Sequence, residues 1–405
     1  MGRRFHSGVR VVQKIHRWFI AFMILMVSSL VIAGCMQSSL SVTNITPVPS
    51  AGISEPPAGV SADLQNIVNS GIAASGVPGL VVEIATPSWT WDFAAGNASA
   101  ITGEPAQPGM KFFIASVTKS FTSVAVLKLP EEKKLSLDDP ISKWVDPGLV
   151  QKIPNGKNIT VRQLLQHTSG IADYDEEAIL WQELADQTTA VPYETGIAQG
   201  INASPLFLPG TDYEYSNVNY LLLTKIVDKA SGMPYEEYVN QTVFVPAGLH
   251  NTTFQRTNAI SGPHMTASEQ INGTREDFSD LYVGFDRGAG DIVSTTADLN
   301  RFHRALREGR LISNASLTEM ERSSAQASKT EGNVTSGYGL GYGVRHDAGD
   351  NTTIAGHSGS YPGSFTYWYY IPETDSCITM NVNTQVNGSA VASDIFYPLV
   401  RYLSH

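Results

Sequence analysis

An α+β domain, built from an antiparallel sheet flanked by helices with a mostly helical subdomain inserted into it, is the fold class that residues 61–405 predict. Three features predict it: strand patterns lie near both ends of this region, helical and loop patterns fill the interval, and neither an internal repeat nor a second linker divides it. Strands so far apart in sequence form one sheet only by non-local pairing. The sheet part is expected over about 61–140 and 286–405, with the helical part over about 141–285.

The elements follow in order. Residues 79–85 and 89–93 alternate or run apolar and read as two strands joined by a turn at Pro87-Ser88. Residues 116–129 carry a helical pattern that Pro130 limits. Helices are expected at 161–166 and 220–230, and another at 296–308, capped by Thr295 or Thr296. Strands return at 341–345, 365–371 and 376–382, and a closing helix runs from about 390 to 403. The spaced glycines Gly337, Gly339, Gly341 and Gly343 lack a strand-loop-helix setting for phosphate and read as a glycine-rich strand.

The first 35 residues differ from the rest. They hold Arg3, Arg4, Arg10, Lys14 and Arg17 with no acidic residue, then an apolar run over 18–33, then Gly34-Cys35. This is the pattern of a secretory signal. Its ending, Val31-Ile32-Ala33-Gly34-Cys35, resembles a lipobox, which would make Cys35 the acylated first residue of the mature chain. The alternative is an uncleaved anchor, because the run is only slightly shorter than a membrane span. Either reading puts the bulk of the protein outside the cytoplasm, attached to a membrane through its N-terminus. Residues 36–60, rich in Ser, Thr and Pro, read as a flexible linker.

Beyond residue 35 the chain keeps 22 basic against 38 acidic residues. Such a balance repels nucleic acid. Of twenty asparagines, eleven sit in Asn-x-Ser/Thr sequons, which reads either as surface glycosylation or as ordinary loop composition. With Cys35 acylated, Cys377 has no disulfide partner and reads as a small buried apolar residue.

Chemistry concentrates in three short motifs. Ser116 and Lys119 stand one helical turn apart, and of the twelve lysines only Lys119 has a serine three residues before it. Residues i and i+3 share a helix face, so the amine reaches the hydroxyl and can act as its base if burial lowers its pKa. Tyr215-Ser216-Asn217 adds a phenol able to pass a proton to a leaving group, and an amide able to hold the lysine and a substrate carbonyl. His357-Ser358-Gly359 reads as the opening of a strand, where Gly359 leaves room for substrate and the Ser360 N–H joins that of Ser116 as an oxyanion hole. No Gly-x-Ser-x-Gly elbow occurs, and no His-x-His or His-Glu-x-x-His offers a zinc site. No metal and no cofactor are expected.

Ser-x-x-Lys, Tyr-x-Asn and a third element near the C-terminus, in this order, resemble the serine β-lactamase and D-alanyl-D-alanine carboxypeptidase superfamily, in its class C-like branch. Leu164 to Gly170, Pro209-Gly210-Thr211 and Gly290 to Thr295 add to the likeness, which spans about residues 61–405. The resemblance implies a β-lactamase/transpeptidase-like fold. It also implies that Ser116 is the acylated nucleophile, Lys119 its base, Tyr215 the proton relay and Asn217 a positioning amide, with His357 at the place where efficient class C β-lactamases keep a lysine and the family's carboxypeptidases and D-amino-acid peptidases often have a histidine. Histidine is neutral for much of the range near pH 7, so it makes a poorer fixed clamp for a substrate carboxylate and lowers the expectation of strong β-lactamase activity. His167-Thr168-Ser169-Gly170 also contains a His followed by a Gly, but its place before Tyr215 reads as a structural loop. The expected function is an extracytoplasmic serine hydrolase of D-alanyl-D-alanine carboxypeptidase-like or D-amino-acid peptidase-like activity on small peptides or esters, with β-lactams as further ligands. An esterase, a weak β-lactamase and a catalytically idle envelope binding protein are the alternatives.

Overall fold

The computed structural model describes residues 54–185, 190–257, 259–271, 273–281, 283–385 and 388–404. Cys35, the signal segment and most of the linker lie outside the described residues.

Eight strands form one antiparallel sheet: β1 (Gly79–Ala85), β2 (Thr90–Gly96), β3 (Lys329–Glu331), β4 (Val334–Tyr338), β5 (Gly343–Asp347), β6 (Thr352–Tyr361), β7 (Ser364–Ile371) and β8 (Ser376–Val382). Their spatial order is β2-β1-β8-β7-β6-β5-β4-β3. Strand β1 pairs with β8, Leu80 opposite Val382 and Ala85 opposite Cys377, so the two ends of the domain are joined at the centre of the sheet. Central strands are covered on both faces, which accounts for the mostly apolar β1 and β8, whose few polar residues, Glu83, Ser376, Thr379 and Asn381, are buried with the rest.

One face packs against α1 (Ala58–Ser75) and the C-terminal helical segment: Leu80, Val82 and Ile84 meet Leu64, Val68, Ile395 and Leu399. The closing helix is interrupted by a π-turn over Ala392–Phe396 before it ends in Tyr397–Ser404. The other face, with Val81, Trp368 and Cys377, carries the larger core that holds α2 (Thr118–Glu131), α3 (Val161–Leu165), α4 (Glu176–Ala185), α5 (Asn217–Ser231) and α6 (Thr296–Arg307). Cys377 is buried, as a small apolar residue would be.

Local signals place most of these elements. Thr160 and Gln163 form a capping box at α3, and the Thr295 hydroxyl accepts the Asp298 N–H to cap α6. Pro130 lies inside the last turn of α2 rather than beyond it. The glycine-rich stretch is not one strand. Gly337 lies in β4 and Gly343 opens β5, while Gly341, at φ +66°, turns the connection tightly against Ser123 and Tyr220.

A small three-stranded sheet carries the segment before α2. Phe112–Phe113 pairs with Ile292–Ser294, which also pairs with Thr253–Phe254, and the Ile114 N–H donates to the Ile292 carbonyl. A 3₁₀ turn, Ala115–Val117, then leads into α2. Ala115 sits at φ +44°, a strained conformation for a residue with a Cβ.

Candidate active site

The strained turn presents Ser116 beside Lys119. Lys119 is completely buried, and its Nζ donates to Ser116 Oγ at 3.1 Å and to the Ala289 carbonyl at 2.8 Å. Burial pushes the Lys119 amine below its ordinary range, against the pull of Asp286, Asp173, Glu176 and Asp291. The amine therefore gives up its proton more readily than a surface lysine, which is what a base for Ser116 requires.

Tyr215 completes this corner. The Lys119 Nζ lies 5.0 Å from its ring centroid. Burial holds the phenol far above its usual range, and the Ser116 hydroxyl partly offsets this. Its oxygen has no partner of hydrogen-bonding geometry among the described residues. A neutral Tyr215 beside Ser116 is equipped to hand on a proton rather than to stand as a phenolate.

His167 reads in sequence as part of a structural loop, yet its ring supports Tyr215. The two rings stack at 4.2 Å between centroids and 28° between planes, and His167 Nδ1 accepts the Ser216 N–H at 3.1 Å. Burial, then the Lys119 and His357 charges, hold its pKa well down, so the neutral ring is the acceptor.

Asn217 lies at the start of α5, but its amide does not hold Lys119. Its Nδ2 and backbone N–H both donate to Asp173, at 3.1 and 2.9 Å, and its Oδ1 has no partner among the described residues. Asp173, at 3.4 Å from the Val218 N–H as well, caps the helix where Ser216 supplies no side-chain cap. Ala289 takes the place at Lys119 that was expected of Asn217.

His357 also differs from expectation. It stands mid-strand in β6, not at its opening. Its Nδ1 lies 2.5 Å from the Ser358 carbonyl, which accepts, and its Nε2 accepts the Tyr338 hydroxyl at 2.9 Å. Burial and then the Lys119 charge push it down to about 3. A neutral imidazole with both nitrogens engaged gives a substrate carboxylate no positive charge.

Gly359 meets a nearer neighbour than substrate. A Cβ there would lie 2.0 Å from the Ile114 carbonyl oxygen and 3.1 Å from the Ala115 Cβ, so its bare backbone lets β6 lie against the turn that holds Ser116. The Ser360 side chain accepts from Gln385 Nε2 at 2.6 Å. Tyr361 and Ser364 close a two-residue hairpin and form its hydrogen-bonded pair, so by ladder alternation the Ser360 N–H points away from β7. Strand β5 covers β6 only at residues 352–356, which leaves that edge unpaired. The Ser116 N–H, in the first turn of its helix, also has no intrahelical acceptor. Two N–H groups beside one hydroxyl can receive a developing oxyanion.

The structure thus gathers Ser116, Lys119, Tyr215, Asn217, His357, Gly359 and Ser360, and adds His167, Tyr338, Ala289, Asp173 and Asp286. The acidic run Asp173 to Glu177, shortly after Gly170, was the signal in the sequence for part of this second set. Among the described residues, no His, Cys, Asp and Glu grouping is suited to hold a metal ion.

A family model described as Beta-lactamase matches residues 64–400. The chain belongs to the beta-lactamase family. Penicillin-binding protein 4* of Bacillus subtilis (strain 168) is 28% identical over 294 residues, which are 67% of this chain and 60% of that protein. The chain spans about half to three fifths of the length of the curated relatives it matches. A D-stereospecific amidohydrolase from Streptomyces sp. superposes with a TM-score of 0.72 at 29% identity, covering 82% of this chain and 98% of that one. D-amino acid amidase from Ochrobactrum anthropi SV3 superposes at 0.73 over 85% and 98%, and at 23% identity supports the fold alone. The fold is therefore that of β-lactamases and penicillin-binding proteins, and the chain is a serine hydrolase of this family.

Proposed function

We propose that this serine hydrolase cleaves amides and short peptides of D-amino acids through an acyl-enzyme on Ser116. The observation that carries the reading is the fully buried Lys119 amine, 3.1 Å from the Ser116 hydroxyl and beside the Tyr215 ring. Neutral Lys119 takes the hydroxyl proton as Ser116 Oγ bonds to the substrate carbonyl carbon. The oxyanion rests on the Ser116 and Ser360 N–H groups. As the tetrahedral adduct collapses, the leaving amine receives a proton through Tyr215, which is resupplied by protonated Lys119. Water then attacks the ester, losing its proton to the same pair and releasing the acid.

His357 favours an amidase or peptidase over an efficient β-lactamase. A β-lactam carries a carboxylate, for which a neutral His357 supplies no counter-charge. The Streptomyces relative described as a D-stereospecific amidohydrolase supports the same choice. The reading includes an extracytoplasmic location, with Cys35 as the lipid-bearing residue after the signal segment.

The test is a panel of D- and L-alanine p-nitroanilides beside an N-acylated peptide ending in D-alanyl-D-alanine. The expected order is the D-anilide well ahead of both others, with all turnover lost in Ser116→Ala. Preferential cleavage of the D-alanyl-D-alanine peptide would make the protein a carboxypeptidase, and an L preference would remove the stereochemical assignment.

A further inference from the structure

The fold divides the asparagines sharply by their neighbours in sequence. Eight of the eleven Asn-x-Ser/Thr sequons lie among the described residues, and the asparagine of every one is exposed. Three stand on the sheet: Asn97 just beyond β2, Asn333 in the turn between β3 and β4, and Asn351 before β6. Five stand on the helical elements and their borders. Asn158 lies in a turn before α3, Asn202 ends the helix Tyr193–Asn202, Asn240 opens the π-turn Asn240–Phe244, Asn251 lies in a bend before Thr253, and Asn314 starts the helix Asn314–Glu321. None of the eight makes a side-chain hydrogen bond among the described residues. The bonds of Asn97, Asn251 and Asn314 run through the main chain, so their amide Nδ2 groups stay open to solvent.

The remaining described asparagines behave differently. Asn217, Asn219, Asn300, Asn381 and Asn383 are buried, and each uses its side-chain amide in a hydrogen bond. That is the ordinary structural use of the residue. Only Asn66, Asn69 and Asn155 are exposed without a sequon. A taste of loops for asparagine explains an exposed turn residue, but it does not explain Asn202 and Asn240, which lie within helical segments. Asparagine is a poor helix former, and these two offset that cost with no side-chain bond. Their common feature is the hydroxyl residue two positions on.

We propose that the exposed sequons are N-glycosylation sites, at which a transferase outside the cytoplasm joins the Asn Nδ2 to an oligosaccharide carried on a polyprenyl phosphate. The bond from Nδ2 to the anomeric carbon forms, the bond from that carbon to the phosphate oxygen breaks, the phosphate leaves with its lipid, and Nδ2 gives up one proton. This rests on the extracytoplasmic location given above, and it adds a covalent sugar coat to the folded surface. None of the eight asparagines belongs to the site around Ser116, so the coat leaves the proton-transfer set untouched. Asn333 places one glycan at the turn out of β3, the exposed strand that ends the sheet, where a bulky group opposes edge-to-edge pairing with another chain.

The experiment is peptide mass spectrometry on the full chain purified from the cells that make it, beside a test of whether protease added to intact cells reaches it. The expected result is a hexose-containing mass on most of the eight sequon asparagines and on none of Asn66, Asn69 and Asn155. Ser204→Ala keeps Asn202 and removes an exposed hydroxyl that makes no hydrogen bond among the described residues, so it should abolish the modification at Asn202 alone and leave turnover of D-alanine p-nitroanilide unchanged. Eight unmodified peptides from a chain that the protease reaches overturn the glycan sites and leave the location standing. Unmodified peptides from a chain that the protease cannot reach overturn both. Sugar on Asn66, Asn69 or Asn155 as often as on the eight, or sugar kept on Asn202 in Ser204→Ala, overturns the assignment to sequons.

Discussion

Replacing Gly359 by alanine exchanges an α-hydrogen for a methyl group, and the structure indicates that this added carbon has nowhere to go. Its position lies 2.0 Å from the Ile114 carbonyl oxygen, 3.0 Å from the Ile114 carbonyl carbon and 3.1 Å from the Ala115 Cβ. Close carbon–oxygen contacts are about 3.3 Å at their shortest, so the two backbones must part by roughly 1.3 Å. Strand β6 is held on its other side, where Gly359 pairs with Thr366 of β7, and Thr366 Oγ1 in turn donates to the Phe113 carbonyl at 3.0 Å. The piece that yields is the turn at Ala115, already strained at φ +44° and directly before Ser116. A displacement near 1 Å at a reacting centre costs about 100-fold in rate, while overpacking costs about 1–3 kcal/mol of stability. Gly359→Ala should therefore lower the second-order acylation of Ser116 about 100-fold, measured by stopped flow with an activated ester, while circular dichroism shows a folded protein that melts a few degrees lower. Acylation within about threefold of the parent rate would refute the argument that Gly359 positions the nucleophile turn.

Three further outcomes follow from the same geometry. Because Lys119 must be neutral to accept the Ser116 proton, kcat/KM should rise with pH through its depressed pKa, and His357→Gln, which replaces a ring that is already neutral above about pH 5, should lower the rate without moving that midpoint; loss of the limb in His357→Gln would contradict this. His167→Ala removes the shelf under Tyr215 and the acceptor of the Ser216 N–H, and should lower kcat by about 10- to 100-fold with little change in KM, whereas a fall in melting temperature with kcat intact would reduce His167 to a packing role. Glu83 in β1 is buried and accepts from Asn300, and its pKa is pushed up to about 7 from 4.5, chiefly by burial. A folded pKa above the unfolded one adds stability that is complete below about pH 4.5 and is lost as pH rises through 7, a span of roughly 3 kcal/mol. Glu83→Gln should match the parent near pH 5 and exceed it near pH 8 in urea unfolding, and an unchanged pH slope would count against it.

The site was legible where chemistry follows helical spacing. Ser116 and Lys119 share a face by sequence alone, and Tyr215 lies where the motif order puts it. The strands at 79–85, 365–371 and 376–382 were legible from their mostly apolar, β-branched and aromatic residues, because a central strand is buried on both faces. Helix α1 gave little periodic signal, since two of its four buried positions are Gly71 and Ser75 rather than large apolar residues. What could not be read was long-range pairing of polar groups: Asp173 with Asn217, Ala289 with Lys119, and Tyr338 with His357 each join positions that no local rule connects. Gly359 looked like room for a substrate for the same reason, as the chain that fills that room is more than 200 residues away.

The central claim is that Ser116 forms a covalent acyl-enzyme with the help of Lys119. The most direct measurement is intact-protein and peptide mass spectrometry after incubation with a fluorescent penicillin and with an activated ester. The predicted result is a single adduct on the peptide that contains Ser116, absent from Ser116→Ala and formed far more slowly in Lys119→Ala. An adduct that persists in Ser116→Ala, or no adduct with either reagent, would contradict the account.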